Sequence, residues 1–198
     1  MSFSLLVARV LRVGTLTFAF LGWNLFLAWL AVGLGAASCA LWDRKKIAAS
    51  APCFVAFFAM FPNTFYLVTD LVHLRHTRGP LWHDFALLFS CAATGVGLAL
   101  CSLFEVHRRV AARFGRGWGW AVVMAFGLST GYAIWLGRIL RFNSWDLVVT
   151  PAKVARSALS PLFAPREHLL AWGMTGLFSA LLLVLYIAFQ SRHPSARA

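Results

Sequence analysis

Leu177-Phe178-Ser179-Ala180-Leu181-Leu182-Leu183-Val184-Leu185-Tyr186-Ile187-Ala188-Phe189 runs for thirteen residues without a charge and without polar alternation. A transmembrane β-strand turns every second side chain toward a polar lumen, so this run excludes a barrel and leaves a lipid-embedded helix. Taken to its apolar limits the run spans Leu169 to Gln190. Val13 to Trp42, Ile47 to Thr69, Phe85 to Phe104 and Trp118 to Gly137 match it in kind. Each reaches the roughly 20 residues that cross a bilayer as helix. The whole chain agrees, with 61% hydrophobic and 12% charged residues and a mean hydropathy of +0.76, far outside the range of water-soluble domains. The expected fold is an all-α integral membrane helical bundle. It is read as a single membrane domain over residues 1–198, with about five transmembrane helices near 13–42, 47–69, 85–104, 118–137 and 169–190.

The first run is about 45 Å long as helix, more than a hydrocarbon core of roughly 30 Å, so it must tilt, protrude or begin at the interface. Arg9 and Arg12 precede it in the manner of a signal peptide. The run is twice the length of an h-region of about 7 to 15 residues, so it is read as retained. Cys39, Cys53, Cys91 and Cys101 all fall inside apolar runs with no CxxC spacing, which reads as small buried hydrophobes rather than a zinc or redox site. The net charge of +12 would suggest nucleic acid in a soluble protein. Here most Lys and Arg flank the spans, so topology and anionic lipid headgroups account for them and a nucleic-acid partner is not expected.

Five spans put the N-terminus, the loop after the second span and the long loop after the fourth on one side of the membrane. Lys and Arg are tied across the two sides, nine against nine. Arg44-Lys45-Lys46 and Arg108 to Arg116 are dense and short, whereas Arg138 and Arg141 adjoin acidic residues that can hold them. The expected orientation in a bacterial inner membrane is therefore N-terminus outside and C-terminus in the cytoplasm.

Ionisable residues near the ends of the apolar runs mark the candidate site. The second span ends in Phe61-Pro62-Asn63-Thr64-Phe65-Tyr66-Leu67-Val68-Thr69-Asp70-Leu71-Val72-His73. Pro62 predicts a kink whose freed backbone group needs another donor, and Asn63 and Thr64 are at hand. If helix continues past the kink, Asp70 and His73 share a face with Tyr66, a spacing at which an acid and an imidazole can share a proton or a metal. The plainer alternative pairs Asp70 with an arginine from another span and leaves His73 at the interface. His83 and Asp84 open the third span after Arg75-His76-Thr77-Arg78-Gly79-Pro80, a solvated turn. Asp84 alone reads as a helix cap, and beside Asp70 and His73 as a third ligand.

The fourth span carries Gly127, Ser129, Thr130, Gly131 and Gly137, small residues that let helices approach closely. It leads into Arg138-Ile139-Leu140-Arg141-Phe142-Asn143-Ser144-Trp145-Asp146. The rigid guanidinium forks of Arg138 and Arg141 suit a phosphate or the carboxyls of Asp70 and Asp84. Thr150-Pro151 then reads as a cap with proline at the first helical position. It starts a short interfacial amphipathic helix over about 151–160, with Ala155, Ala158, Leu159 and Leu162 opposite Lys153, Arg156 and Ser160, ended by Pro161 and Pro165. Asn24 is the strongly polar residue of the first span and is expected to hydrogen-bond another helix. Glu105 and Arg109 read as a surface pair on the opposite side.

Trp23-Asn24-Leu25-Phe26-Leu27-Ala28-Trp29, Phe61-Pro62-Asn63, Tyr66 through Leu74, and Leu136-Gly137-Arg138 continuing to Asn143-Ser144-Trp145-Asp146 resemble the bacterial membrane family known as domain of unknown function 1361. The resemblance runs from about Leu21 to Pro151. It implies a multi-pass membrane protein with no established activity, so no catalytic role comes with it. The family pattern more often has tyrosine at the position of His83 and Ala-Pro at Thr64-Phe65, which argues against His83 as an essential ligand.

Two functional readings follow. In the first, a polar pocket at one membrane face acts on or binds a lipid or lipid-linked headgroup. Asp70, His73, Asp84 and Asp146 are its candidate catalytic residues, and Arg138, Arg141, Asn143 and Ser144 hold substrate. A divalent metal on Asp70, His73 and Asp84 would be the cofactor, zinc suiting a mixed carboxylate and imidazole set and magnesium carboxylates alone. In the second, the chain is a non-enzymatic carrier or membrane-complex assembly partner and its Arg and Asp cluster is structural.

Overall fold

The computed structural model describes residues 2–13, 18–76, 80–142 and 146–192. Among them the chain is helical with no strand: α1 (Ser2–Val13), α2 (Phe20–Asp43), α3 (Ile47–Met60), α4 (Pro62–Thr69), a 3₁₀ turn (Asp70–His76), α5 (Leu81–Phe114), α6 (Arg116–Arg138), α7 (Asp146–Val149), α8 (Pro151–Phe163) and α9 (Leu169–Ser191). Five described segments have the length and composition to cross a membrane: Phe20–Asp43, Ile47–Arg75, Leu81–Phe114, Arg116–Arg138 and Leu169–Ser191. The protein is a multi-pass membrane protein. It divides into two compact units, Met1–Val106 and His107–Ala198.

In the first unit the long apolar run is not one helix from Val13. The crossing helix starts at Phe20, and α1 precedes it as a separate element. At 24 residues α2 is about 36 Å long, close to the bilayer core with modest tilt. Leu6 of α1 joins Phe18, Leu21, Ala28, Leu67, Leu87, Leu88 and Cys91 in one buried cluster, so one face of α1 packs on the unit while Ser4, Val7 and Ala8 stay exposed. Ser2 Oγ stands 3.4 Å from Thr94 Oγ1 while Arg9 meets Asp84, so α1 runs antiparallel to the first part of α5.

The α2–α3 hairpin turns through Arg44-Lys45-Lys46, with Lys45 in the left-handed region at φ 60°. Ser38 and Ser50 stitch the pair, Ser50 Oγ donating to the Ser38 carbonyl at 2.9 Å and Ser38 Oγ to the Ser50 carbonyl at 3.2 Å. Pro62 separates α3 from α4. Asn63 Nδ2 donates to the Met60 carbonyl at 2.9 Å and Thr64 Oγ1 to the Phe61 carbonyl at 2.7 Å, side-chain bonds to carbonyls beside the break. Gly95 lets α5 pass against α4, since a Cβ there would sit 2.2 Å from the Thr64 carbonyl oxygen.

The second unit is organised on an antiparallel α6–α9 pair. Gly131 lies against Thr175, where a Cβ would approach the Thr175 carbonyl oxygen to 2.4 Å, and Ser179 Oγ donates to the Gly127 carbonyl at 2.9 Å. Small residues thus allow backbone contact and a hydroxyl secures it, the means of helix association open to segments that gain nothing from hydrophobic burial in lipid. Gly115 separates α5 from α6 at φ 97°, a conformation that side-chain-bearing residues rarely adopt. Pro151 occupies the first turn of α8 as expected, although Thr150 Oγ1 faces the Asp146 carbonyl at 3.4 Å rather than capping the helix. Pro161 does not end α8. It falls so near the C-terminus that its missing N–H removes one hydrogen bond only, and the helix continues to Phe163.

Candidate functional site

The polar end of the first unit is built where α1, α2, the 3₁₀ turn and the start of α5 meet. Arg9, Asp70 and Asp84 are all buried there. Arg9 Nε donates to Asp84 Oδ1 at 2.6 Å and Nη2 to Oδ2 at 3.2 Å, a fork across both carboxyl oxygens. The same guanidinium lies over the Phe18 ring, 4.2 Å from its centroid. Asp84 is therefore the partner of a residue that sequence reading had placed in the flank. His83 Nδ1 lies 3.9 Å from Asp84 Oδ1 at the rim of this pair.

Asp70 forms the second centre. Asn24 Nδ2 donates to Asp70 Oδ2 at 2.9 Å, the interhelical bond expected of the polar residue in the first span. The chain leaves α-geometry at Asp70, and the 3₁₀ turn eclipses residues three apart, so His73 stands over it. His73 Nδ1 is 3.1 Å from the Asp70 carbonyl oxygen and 4.0 Å from Oδ1. A carbonyl can only accept, so Nδ1 carries a proton, and in the neutral ring Nε2 then presents a lone pair. The His73 side chain is 36% exposed while that of Asp70 is 1% exposed. Phe20 packs on the imidazole at 4.9 Å and on Phe18 at 6.1 Å, joining the two centres through aromatic contacts.

The structure thus brings Asp70, His73 and Asp84 to one end of the first unit. Arg138, Arg141 and Asp146 lie in the second: Arg138 closes α6, Arg141 is exposed at φ 59°, and Asp146 begins α7. Asn143 and Ser144 lie outside the described residues. Among the described residues no three His, Cys, Asp or Glu side chains stand together as a metal-holding group. Asp84 turns both oxygens to Arg9, and Asp70 turns one to Asn24.

Three further polar contacts belong to the second unit. His107 Nδ1 and Tyr186 Oη are 2.6 Å apart in a buried contact, with Trp120 edge-on to the imidazole at 5.2 Å. Ser160 Oγ meets His168 Nε2 at 2.9 Å, and the Tyr132 hydroxyl donates to the Ala158 carbonyl, together tying α8 to the pair of crossing helices. Sequence reading missed Arg9, His107 and His168. For Arg9 a signal existed in Leu5-Leu6-Val7-Ala8-Arg9-Val10-Leu11, where a cation interrupts an apolar stretch that a solvated flank does not need.

A family model described as "Protein of unknown function (DUF1361)" matches residues 23–185. No curated protein and no solved structure matches the chain.

Proposed function

From a chain that belongs to the DUF1361 family, whose description assigns no activity, we propose a membrane protein that receives the polar headgroup of a lipid or lipid-linked molecule at the His73 end of its first unit. The observation that carries this reading is the pose of His73. Its Nδ1 is held on the Asp70 carbonyl, its side chain is partly exposed, and no described residue bonds Nε2. An imidazole fixed in that tautomer accepts a hydrogen bond, or a proton, from a headgroup hydroxyl or protonated phosphate. Asp70 is the positioning residue, and Asn24 steadies it. Arg9 and Asp84 engage each other inside the bundle, so their part is to hold α1 against α5.

In the same reading the His73 end faces the extracytoplasmic side. Arg9 is drawn into a buried pair, which leaves one cation fewer on that side of the tied Lys and Arg count. A reporter fused after the last span, active only in the cytoplasm, is the expected topology result.

Native mass spectrometry of detergent-purified wild type and His73→Gln tests the headgroup. The expected result is a lipid or lipid-linked adduct retained by the wild type and lost from the folded variant, and equal retention overturns the proposal. Lipid profiles of cells with the gene deleted and restored then separate an enzyme, which changes lipid species, from a carrier, which changes their distribution. The Arg9–Asp84 pair favours a second reading for its half of the cluster, a structural ion pair in a carrier or assembly partner.

A further inference from the structure

Helix α8 presents three faces rather than two. Val154 and Pro161 are buried and Ser157 and Ala158 half-buried, which sets the face turned into the unit. At 100° per residue, Ala152, Ala155, Leu159, Leu162 and Phe163 follow on one side, all exposed, with Phe163 83% exposed. Lys153 and Arg156 occupy the remaining arc, also exposed, and α8 carries no acidic residue. Lys153 Nζ stands 5.8 Å from the Phe142 ring centroid, a contact that steers the ammonium without neutralising it.

A helix with its apolar face uncovered beside a basic face has one medium that satisfies both, the boundary between acyl chains and negatively charged headgroups. The flanking sequence fits that depth. Val149, Leu169 and Leu170 at the ends of the connection are exposed, and α9 enters the membrane immediately after. The Tyr132–Ala158 and Ser160–His168 bonds fix the rotation of α8, so the exposed faces are set by the fold.

We propose that α8 is a docking surface for the anionic lipids of the surrounding membrane, with Leu159, Leu162 and Phe163 entering the acyl boundary and Lys153 and Arg156 engaging lipid phosphates. The surface lies in the second unit and does not depend on the role of His73. Both cations are exposed and outside the core, so their loss leaves the fold intact.

The test is hydrogen–deuterium exchange of the full chain in lipid nanodiscs, comparing phosphatidylcholine with phosphatidylcholine containing phosphatidylglycerol. The peptide covering 151–163 is expected to exchange more slowly in the anionic discs, by about fivefold for each cation that reaches the surface. Lys153→Gln with Arg156→Gln removes that difference while α6 and α9 peptides stay unchanged. High salt shrinks it in the wild type. Equal exchange in both discs overturns the proposal, as does a difference that survives either the double substitution or the salt.

Discussion

Arg9 and Asp84, 75 positions apart in the chain, meet inside the first unit with the guanidinium spanning both carboxyl oxygens. The pair ties a short helix to the opening turn of a crossing helix and sets their relative register. Removing two charges from water is costly, and the forked geometry with the Phe18 ring beneath offsets that cost only while both partners remain.

Arg9→Met should therefore destabilise strongly, by about 3–5 kcal/mol, because it leaves Asp84 buried without its cation. Arg9→Met combined with Asp84→Leu should recover most of that loss, since an apolar pair of similar volume needs no compensation. Thermal melting in detergent of both single variants and the double measures the coupling. A double variant as unstable as the worse single would show that the pair is not the source of the effect.

Five apolar runs were legible because lipid demands length and uncharged composition, both of which are written locally. The break at Pro62 was legible for the same reason, being contained within a few residues, and Asn63 and Thr64 bond carbonyls beside it. Asp70, His73 and Asn24 stood out as polar residues in or beside apolar runs. Their bonds to one another depend on a 3₁₀ turn that helical spacing does not announce. The pairing of Asp84 was not legible. Arg9 resembles any flanking cation until α1 is known to fold back along α5.

Gly131 gives a sharper steric test. A Cβ there would lie 2.4 Å from the Thr175 carbonyl oxygen, whereas one at Gly173 meets nothing within 4 Å. Gly131→Ala should cost about 1–3 kcal/mol by forcing α6 and α9 apart. Gly173→Ala should be neutral or slightly stabilising through helix propensity. Melting temperatures of the two variants decide the matter, and matching values would mean that close backbone approach does not hold this pair together.

His107 and Tyr186 make a prediction at a buried polar contact of the second unit. Tyr186→Phe keeps the ring and removes only the hydroxyl, leaving a buried imidazole nitrogen without its partner at a cost of about 1–3 kcal/mol. Adding His107→Phe removes the stranded nitrogen as well and should return part of the stability. If the double variant is no better than Tyr186→Phe, packing against Trp120 outweighs the hydrogen bond.

Asn24 and His73 touch the same residue at different atoms, Asn24 at the Asp70 carboxyl and His73 at its backbone carbonyl, and that difference separates structure from function. Asn24→Leu strips a hydrogen bond from the buried Asp70 carboxyl, with an expected loss of about 1–3 kcal/mol. Because Asp70 orients the imidazole, weaker retention of a headgroup should accompany that loss. His73→Gln changes a partly exposed side chain whose own bond is to a backbone carbonyl, so stability should move little while retention falls as far or further. Melting and native mass spectrometry on the same two preparations give the comparison. If instead His73→Gln proves the more destabilising and leaves retention intact, the imidazole serves the 3₁₀ turn and the headgroup reading of this end of the bundle is lost.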